Sequence, residues 1–484
     1  MTRMPQTDAT DSAESATGAP PRTSPSRPLR PWLIVATACA GQFLVVLDVS
    51  VVNVALPSMR TDLGLSPLGL QWVLNAYAVA FAGFMLFGGR AADLYGRKAV
   101  FLLGLGLFTA ASVVGGLAPS GPYLIGARAV QGLGAAFLSP ATLTLITGAV
   151  PAGPARTRAI GTWAAVGAAG GAAGGLVGGV LVDLLSWRWV LLINIPVGVV
   201  VLVAAALFLR ETGKGTGRRL DLPGAVLVTV GLATLAYGIG RTEETSWTDP
   251  SVLLTLLGGL VLLAAFVAVE ARAESPLMPL SIFRNRAVTA ANVAILLCGS
   301  TSFGMWFFMT VYAQNVLGYT PLQAGLALVP SSLSVILGSK AAPRLMRTLG
   351  ARNVAVAGAL IGAAGFAWQS TLTADGTFVR TILGPGILMM LGLGLATTPL
   401  ATLATSGAAP GDAGLVSGLV NTSRTMGGAL GLAVLSTVAA SASAAHAGDL
   451  VPGYATAFRV ATGILVVAAA YMALRLPKQA RRAD

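Results

Sequence analysis

Along the chain, apolar runs of about 18 residues or more follow one another, each long enough to cross a hydrocarbon layer roughly 30 Å thick as a helix. Fourteen such runs can be drawn, at 32–57, 70–89, 99–118, 123–149, 159–182, 189–209, 222–240, 251–270, 287–315, 321–343, 353–372, 378–404, 413–440 and 455–474. Lipid offers backbone groups no hydrogen-bonding partner, so a spanning segment is either a helix or a strand of a closed barrel. These runs lack the two-residue alternation of barrel strands, and the pattern predicts an all-α polytopic membrane protein. The first run exceeds the roughly 7–15 apolar residues of a cleavable signal peptide and is expected to stay as the first helix.

Composition sharpens this reading. The chain is 55% apolar and only 10% charged, against about 25% charged in soluble domains. Its 31 Lys and Arg against 18 Asp and Glu would suggest nucleic acid only if they clustered on one soluble surface. They fall instead in short loops between apolar runs, where basic residues set orientation. With the N-terminus inside, inner loops and tails hold 23 basic residues, among them Arg90, Arg97, Lys98, Arg156, Arg158, Arg218 and Arg219, and outer loops hold five, Arg60, Arg188, Arg241, Arg380 and Arg459. Three more, Arg128, Lys340 and Arg424, lie within runs. Both termini are therefore expected in the cytoplasm, with the chain a multi-pass protein of the cell membrane, monomeric, in contact with lipid and with no nucleic-acid partner. Trp187, Trp189 and Trp247 fall near predicted outer ends, where amphipathic rings suit the headgroup layer. Cys39 and Cys298 lie inside runs as packing residues, and the single histidine, His446, leaves no cluster with metal-ligand spacing, so no metal is expected.

One loop pattern occurs twice. Between the second and third runs stands GRAADLYGRK, Gly89 to Lys98, and between the tenth and eleventh a weaker copy comprises Gly338, Lys340, Pro343, Arg344, Gly350 and Arg352. Setting aside runs seven and eight places this loop at the same point of two six-helix halves. The expected organisation is a disordered cytoplasmic tail over 1–30, a first half over 31–209, a linker and inserted hairpin over 210–286, a second half over 287–474 and a tail over 475–484. The inserted pair, with its Leu-rich run 252–264, is expected to face lipid.

Five segments in this order carry a family resemblance: LDVSVVNVALP (47–57), GRAADLYGRK (89–98), ARAVQGLGAAFLSPATL (127–143), WRWVLLINIPVG (187–198) and NTSRTMGGALGLAV (421–434). Over about residues 32–474 the chain resembles the major facilitator superfamily and, within it, the fourteen-helix drug:proton antiporters. The resemblance implies two six-helix halves with two inserted helices and export of small amphipathic molecules such as drugs or antibiotics. It also implies that a proton gradient, rather than a cofactor, supplies the energy. It departs from the family at Gly174 and Gly175, where a Gly-Pro pair is usual, which removes an expected kink from the fifth helix. An importer shares this architecture, and vesicle transport direction separates the two. An integral membrane enzyme would need a His, Asp or Cys cluster at the membrane face, and a channel would need charged rings; neither occurs. No GxxxxGK[ST] loop occurs, which argues against direct ATP hydrolysis.

Within this frame Asp48 is the deepest carboxylate. A charged Asp at a helix centre costs about 3 kcal/mol, so it should face a cavity or a partner and can take up a proton. The plain structural alternative is permanent neutralisation by Arg128, which lies at comparable depth. Arg128 in turn would either sense the charge of Asp48 or act as hydrogen-bonded glue. Gly89, Asp93, Gly96, Arg97 and Lys98 are candidates for a latch between halves. Gly167, Gly171, Gly175 and Gly179 form one row on the fifth helix, and Gly170, Gly174 and Gly178 another; each lets a backbone approach closely, as a sliding or a static contact. Asn53, Gln131, Trp306, Tyr312 and Arg424 are candidate cavity residues, with helix packing the plainer role for Arg424. Phe307, Phe308 and Gln314 belong to the same aromatic stretch. Asp375, Asp412 and Asp449 all fall in loops, leaving no second deep acid to balance a dication, so neutral, monocationic or anionic substrates are expected.

Overall fold

The computed structural model describes residues 31–151, 153–209, 211, 220–242, 245, 248–273, 276–278, 280–406 and 413–477. The N-terminal tail 1–30, most of the linker 210–221, Trp247 and residues 478–484 lie outside the described residues. Among the described residues there is no strand. Within the described residues, fourteen helices are long and apolar enough to cross a membrane: α1 Pro31–Leu63, α2 Pro67–Tyr95, α3 Arg97–Gly116, α4 Gly121–Ala149, α5 Pro154–Leu184, α6 Trp189–Phe208, α7 Leu222–Arg241, α8 Pro250–Arg272, α9 Arg286–Asn315, α10 Pro321–Leu349, α11 Ala351–Gln369, α12 Phe378–Thr405, α13 Gly418–Ala445 and α14 Leu450–Arg475. Several run past the expected ends, because helices continue beyond the hydrocarbon until a cap stops them. As a result Arg60 lies in the last turn of α1 and Arg241 in the last turn of α7, not in loops. Arg380 sits in the π-helical opening turn of α12 and Arg459 well inside α14.

Proline and polar caps set the starts. Pro lies in the first turn of α2, where Ser66 Oγ accepts from Gly69 N at 3.1 Å, and of α10, where Thr320 and Gln323 form a reciprocal capping box. α1, α2, α4, α5 and α6 with α3 make one bundle, and α9 to α14 the other. The inserted hairpin α7–α8 leans on the bundles through α7, which packs on α2 and α13, while α8 exposes Leu253, Leu254, Leu257, Leu260 and Val261. A helix apolar on its free face in this way suits lipid contact.

The bundles meet along two seams. Along one, α2 lies on α13 with Ala78, Val79 and Ala429 in the contact. Along the other, α5 meets α10 only towards the Leu184 end of α5. A Cβ built on Gly179 would lie 2.5 Å from Leu322 Cα, and one on Gly325 would lie 2.0 Å from Gly175 O. Gly171 and Gly167, further along the same row, have only α1 side chains as neighbours. α5 and α10 therefore diverge beyond Gly175, so this seam is closed at the Leu184 and Leu322 end and parted towards Pro154 and Leu349, while α2 and α13 stay in contact as far as Leu86 and Gly418. Gln314 Nε2 donating to Val54 O at 2.9 Å, and Leu322 N donating to Asp183 Oδ2 at 3.2 Å, fasten the closed end.

Candidate functional site

Four helices bring their polar residues to one point in the first bundle. Asp48 of α1 is fully buried, and its Oδ2 accepts from Arg128 Nη1 of α4 at 2.6 Å. Its Oδ1 accepts from Gln131 Nε2 at 2.7 Å and from Asn194 Nδ2 of α6 at 2.9 Å. Arg128 also donates through Nη1 to Gln131 Oε1 at 2.6 Å and through Nε to Val73 O at 3.1 Å, and its guanidinium lies 4.5 Å from the Tyr77 ring centroid. Ser112 of α3 accepts from Gln131 Nε2 at 2.9 Å and itself donates to Phe108 O.

Local sequence places each donor. Arg128 and Gln131 are three residues apart and share a face of α4. In α6 the missing N–H of Pro196 leaves no bond for the turn before it, and the helix breaks at Ile193 and restarts at Asn194, which turns that amide onto Asp48. The Asp48 carboxylate thus accepts from three donors, one of them the Arg128 guanidinium. Removing one partner of such a buried pair leaves a bare charge at a cost of about 3–5 kcal/mol.

The loop candidates sit elsewhere. Gly96 adopts φ +104°, a conformation that favours glycine, and the carboxylate of Glu211 lies directly over it. Glu211 accepts from Lys98 N at 3.3 Å and Ala99 N at 3.1 Å, capping α3. Lys98 Nζ donates to Ala206 O at 2.8 Å, and the Arg97 guanidinium lies against Gly148 at the end of α4. Arg97 and Lys98 thus bind their own half, and Asp93 is exposed without an ion pair among the described residues. The close crossing of α2 and α4 falls at Gly88, whose built Cβ would lie 2.2 Å from Ala136 O, and not at Gly89, whose nearest neighbour is 3.7 Å away.

The glycine rows separate by partner. Gly170, Gly174 and Gly178 lie on α1, at Phe43, Ser50 and Val51, and Ser50 Oγ donates to Gly171 O at 2.7 Å. Gly175 and Gly179 lie on α10 of the other half. One row is a contact within a half, and the other meets the second half at Gly175 and Gly179 but α1 at Gly167 and Gly171. α5 has no internal proline and runs unbroken from Pro154 to Leu184.

The candidate cavity residues do not form one group. Gln131 belongs to the sealed network. Tyr312 is fully buried and donates to Thr373 O at 2.7 Å, and Phe307 and Phe308 pack beside it, so these are core positions. Trp306 is half-buried against the same core. Asn53 is half-buried, with Nδ2 donating to Val49 O and Oδ1 without a partner among the described residues. Arg424 alone is exposed. Sequence reasoning missed Asn194, Ser112 and Tyr77; an asparagine two residues before a proline inside an apolar run was the one signal available. It also missed Glu270, buried on the inserted hairpin and accepting from Leu277 N and Met278 N. An apolar groove of about 520 Å³ between α3 and α4, lined by residues such as Leu107, Val114 and Val130, lies apart from all these polar groups.

The model of the Major Facilitator Superfamily matches residues 38–432. The chain belongs to the major facilitator superfamily. As a member of that superfamily it is a multi-pass membrane transporter acting on small molecules, not an enzyme. It is 49% identical over 448 residues to a cephamycin export protein of Amycolatopsis lactamdurans, covering 92% of each chain. It is 37% identical to a puromycin resistance protein of Streptomyces alboniger, over 94% of this chain and 93% of the relative. It is 34% identical to a lincomycin resistance protein of Streptomyces lincolnensis, over 93% and 92%. Among solved structures, a POT-family transporter superposes with a TM-score of 0.70 at 17% identity, over 93% of this chain and 98% of the other, a likeness of superfamily fold alone.

Proposed function

We propose that the chain is a proton-driven exporter of small amphipathic organic molecules, antibiotics among them, in the cytoplasmic membrane with both termini inside. The names of its relatives support export, and the uneven spread of basic residues supports the orientation. In that orientation the parted end faces the cytoplasm, so this conformer accepts substrate from inside.

The observation that carries the coupling is the sealed network around Asp48. Here the carboxylate is saturated with donors, the Arg128 guanidinium among them, and out of reach of water. A proton reaches it only after the closed end opens. Protonation then cancels the attraction to Arg128 and frees the guanidinium to re-pair, which ties the occupancy of one atom to the arrangement of α1, α4 and α6. Opening also slides α10 off Gly175 and Gly179, while the loop at Gly89, Asp93, Gly96, Arg97 and Lys98, unattached to the second half here, closes the cytoplasmic end. No cofactor enters the cycle; protons and lipid are the partners, and the monomer is the working unit.

Inside-out vesicles with an imposed pH gradient test this reading. Wild-type protein should accumulate the cephamycin cefoxitin, and Asp48→Asn should fold normally yet lose gradient-driven accumulation. Accumulation by Asp48→Asn at the wild-type rate would remove Asp48 as the coupling site.

A further inference from the structure

The substrate class can be read from Arg424. It lies within α13 with an exposed side chain, on a helix that packs against α2 of the first half and α9 of its own. Its position is fixed: Gly299 of α9 abuts its backbone, with a built Cβ 2.5 Å from Arg424 O, and the next residue back, Ser423, donates to Asn292 Oδ1 at 3.1 Å. Among the described residues the guanidinium has no ion pair or hydrogen bond.

The second half offers it no acid. Between Arg286 and Arg475 the only carboxylates in the sequence are Asp375, Asp412 and Asp449, all outside the spans. The deep acid of the first half is already occupied by Arg128, Gln131 and Asn194. A second cation stands on the approach. Lys340 is exposed and follows Leu322 by roughly five turns of α10, at 3.6 residues per turn, so it shares the face that touches α5 at the closed end but lies where the two helices have parted. The described spans of the second half therefore present two exposed positive groups here and no carboxylate. A cation within a membrane span that no protein group neutralises is found where a ligand or pathway needs it. Guanidinium binds carboxylate, sulfonate or phosphate through paired, charge-assisted hydrogen bonds.

We propose that the exported molecule carries an anionic group, of the carboxylate class, and that Arg424 binds it, with Lys340 drawing it into the cleft. This rests on the export reading above and names the substrate class of that site. The test uses inside-out vesicles and three probes: cefoxitin, which bears one carboxylate, its uncharged methyl ester, and puromycin, which bears an amine. Wild-type protein should accumulate the acid in preference to the ester by about tenfold or more, the range expected for a hydrogen bond to a charged group. Arg424→Gln should pull the acid-to-ester ratio towards one, and Arg424→Lys, which keeps the charge but not the fork, should fall between. A wild-type ratio at or below one, an unchanged ratio in Arg424→Gln, or export of puromycin with neither form of cefoxitin would overturn the proposal. Failure to export all three probes would sink the export reading itself, a distinguishable result.

Discussion

In the first half, the deep carboxylate and the deep guanidinium, Asp48 and Arg128, neutralise each other within a shell formed by Gln131, Asn194 and Ser112. In the second half Arg424 stands open to water, with no acid in any of six spans. The helix arrangement is repeated but its chemistry is not. A closed, self-satisfied pair can store and report a charge without substrate, whereas an open cation is satisfied only by something that arrives. In the proposed cycle energy coupling falls to one half and recognition to the other, and each variant below weakens one side of that contrast.

The largest effect should come from breaking the pair from its basic side. Arg128→Leu leaves Asp48 without its main partner in a dry interior, a loss of about 3–5 kcal/mol. Asp48→Asn combined with Arg128→Leu removes both charges and should recover most of that loss without restoring coupling. Thermal unfolding in detergent measures both. If single and double variants melt together, the pair is not a unit and the contrast between halves fails on its first side.

Next comes the contact between halves. Gly325→Ala places a methyl carbon 2.0 Å from Gly175 O, so α5 and α10 must separate for it to fit. Overpacking of this kind costs about 1–3 kcal/mol, charged to the conformer closed at this end. In a Cys39→Ala/Cys298→Ala background, a cysteine at Leu322 should be slow to react with an impermeant maleimide in the parent and about tenfold or more faster with Gly325→Ala present, a factor set by the same energy. Equal labelling would mean that the glycine row is a static support rather than a moving seam.

A smaller effect is expected at the loop. Glu211→Gln keeps an acceptor above Gly96 but loses the charge that faces the α3 N-terminus, at a cost of about 0.5–1 kcal/mol. The same unfolding assay should resolve a fall of this size in Glu211→Gln and a larger one in Gly96→Ala, because the latter adds φ strain and meets Glu211 directly. No change in either would detach the capping contact from stability.

How far the sequence anticipated all this depends on the range of each interaction. The spans were legible because hydrophobic length is a local property, and Asp48 and Arg128 stood out because charge is rare inside an apolar run. Asn194, Tyr77 and Ser112 did not, since a neutral polar residue in a span is common and only the crossing of four helices brings these to one carboxylate. Glu211 was hidden for a similar reason: it caps a helix that begins 114 positions earlier in the chain, at Arg97. The two glycine rows were visible as periodicity, but which neighbour each would meet depends on the rotation of α5, which no local pattern encodes. Tyr312 and Arg424 were alike as candidates, and burial alone separates them.

The smallest effect should arise where a charge pair meets water. Arg188 Nη1 lies 2.5 Å from Asp62 Oδ2, with the side chains 35% and 46% exposed, and Trp187 Nε1 donates to the same oxygen at 2.9 Å. On distance alone this bridge equals Asp48–Arg128. Exposure makes the difference, because water solvates both ions when the bridge opens and salt screens what remains, leaving about 0–1 kcal/mol. Asp62→Asn also keeps an oxygen for Trp187 to donate to. A double-mutant cycle of Asp62→Asn with Arg188→Gln should therefore give a coupling under about 1 kcal/mol, shrinking further between low and high salt. The cycle of Asp48→Asn with Arg128→Leu should give several times that, with little response to salt, since a buried pair is poorly screened. Comparable coupling at the two sites would show that burial does not set the strength of these bridges, and would undo the argument that the first half keeps its charge in a sealed store.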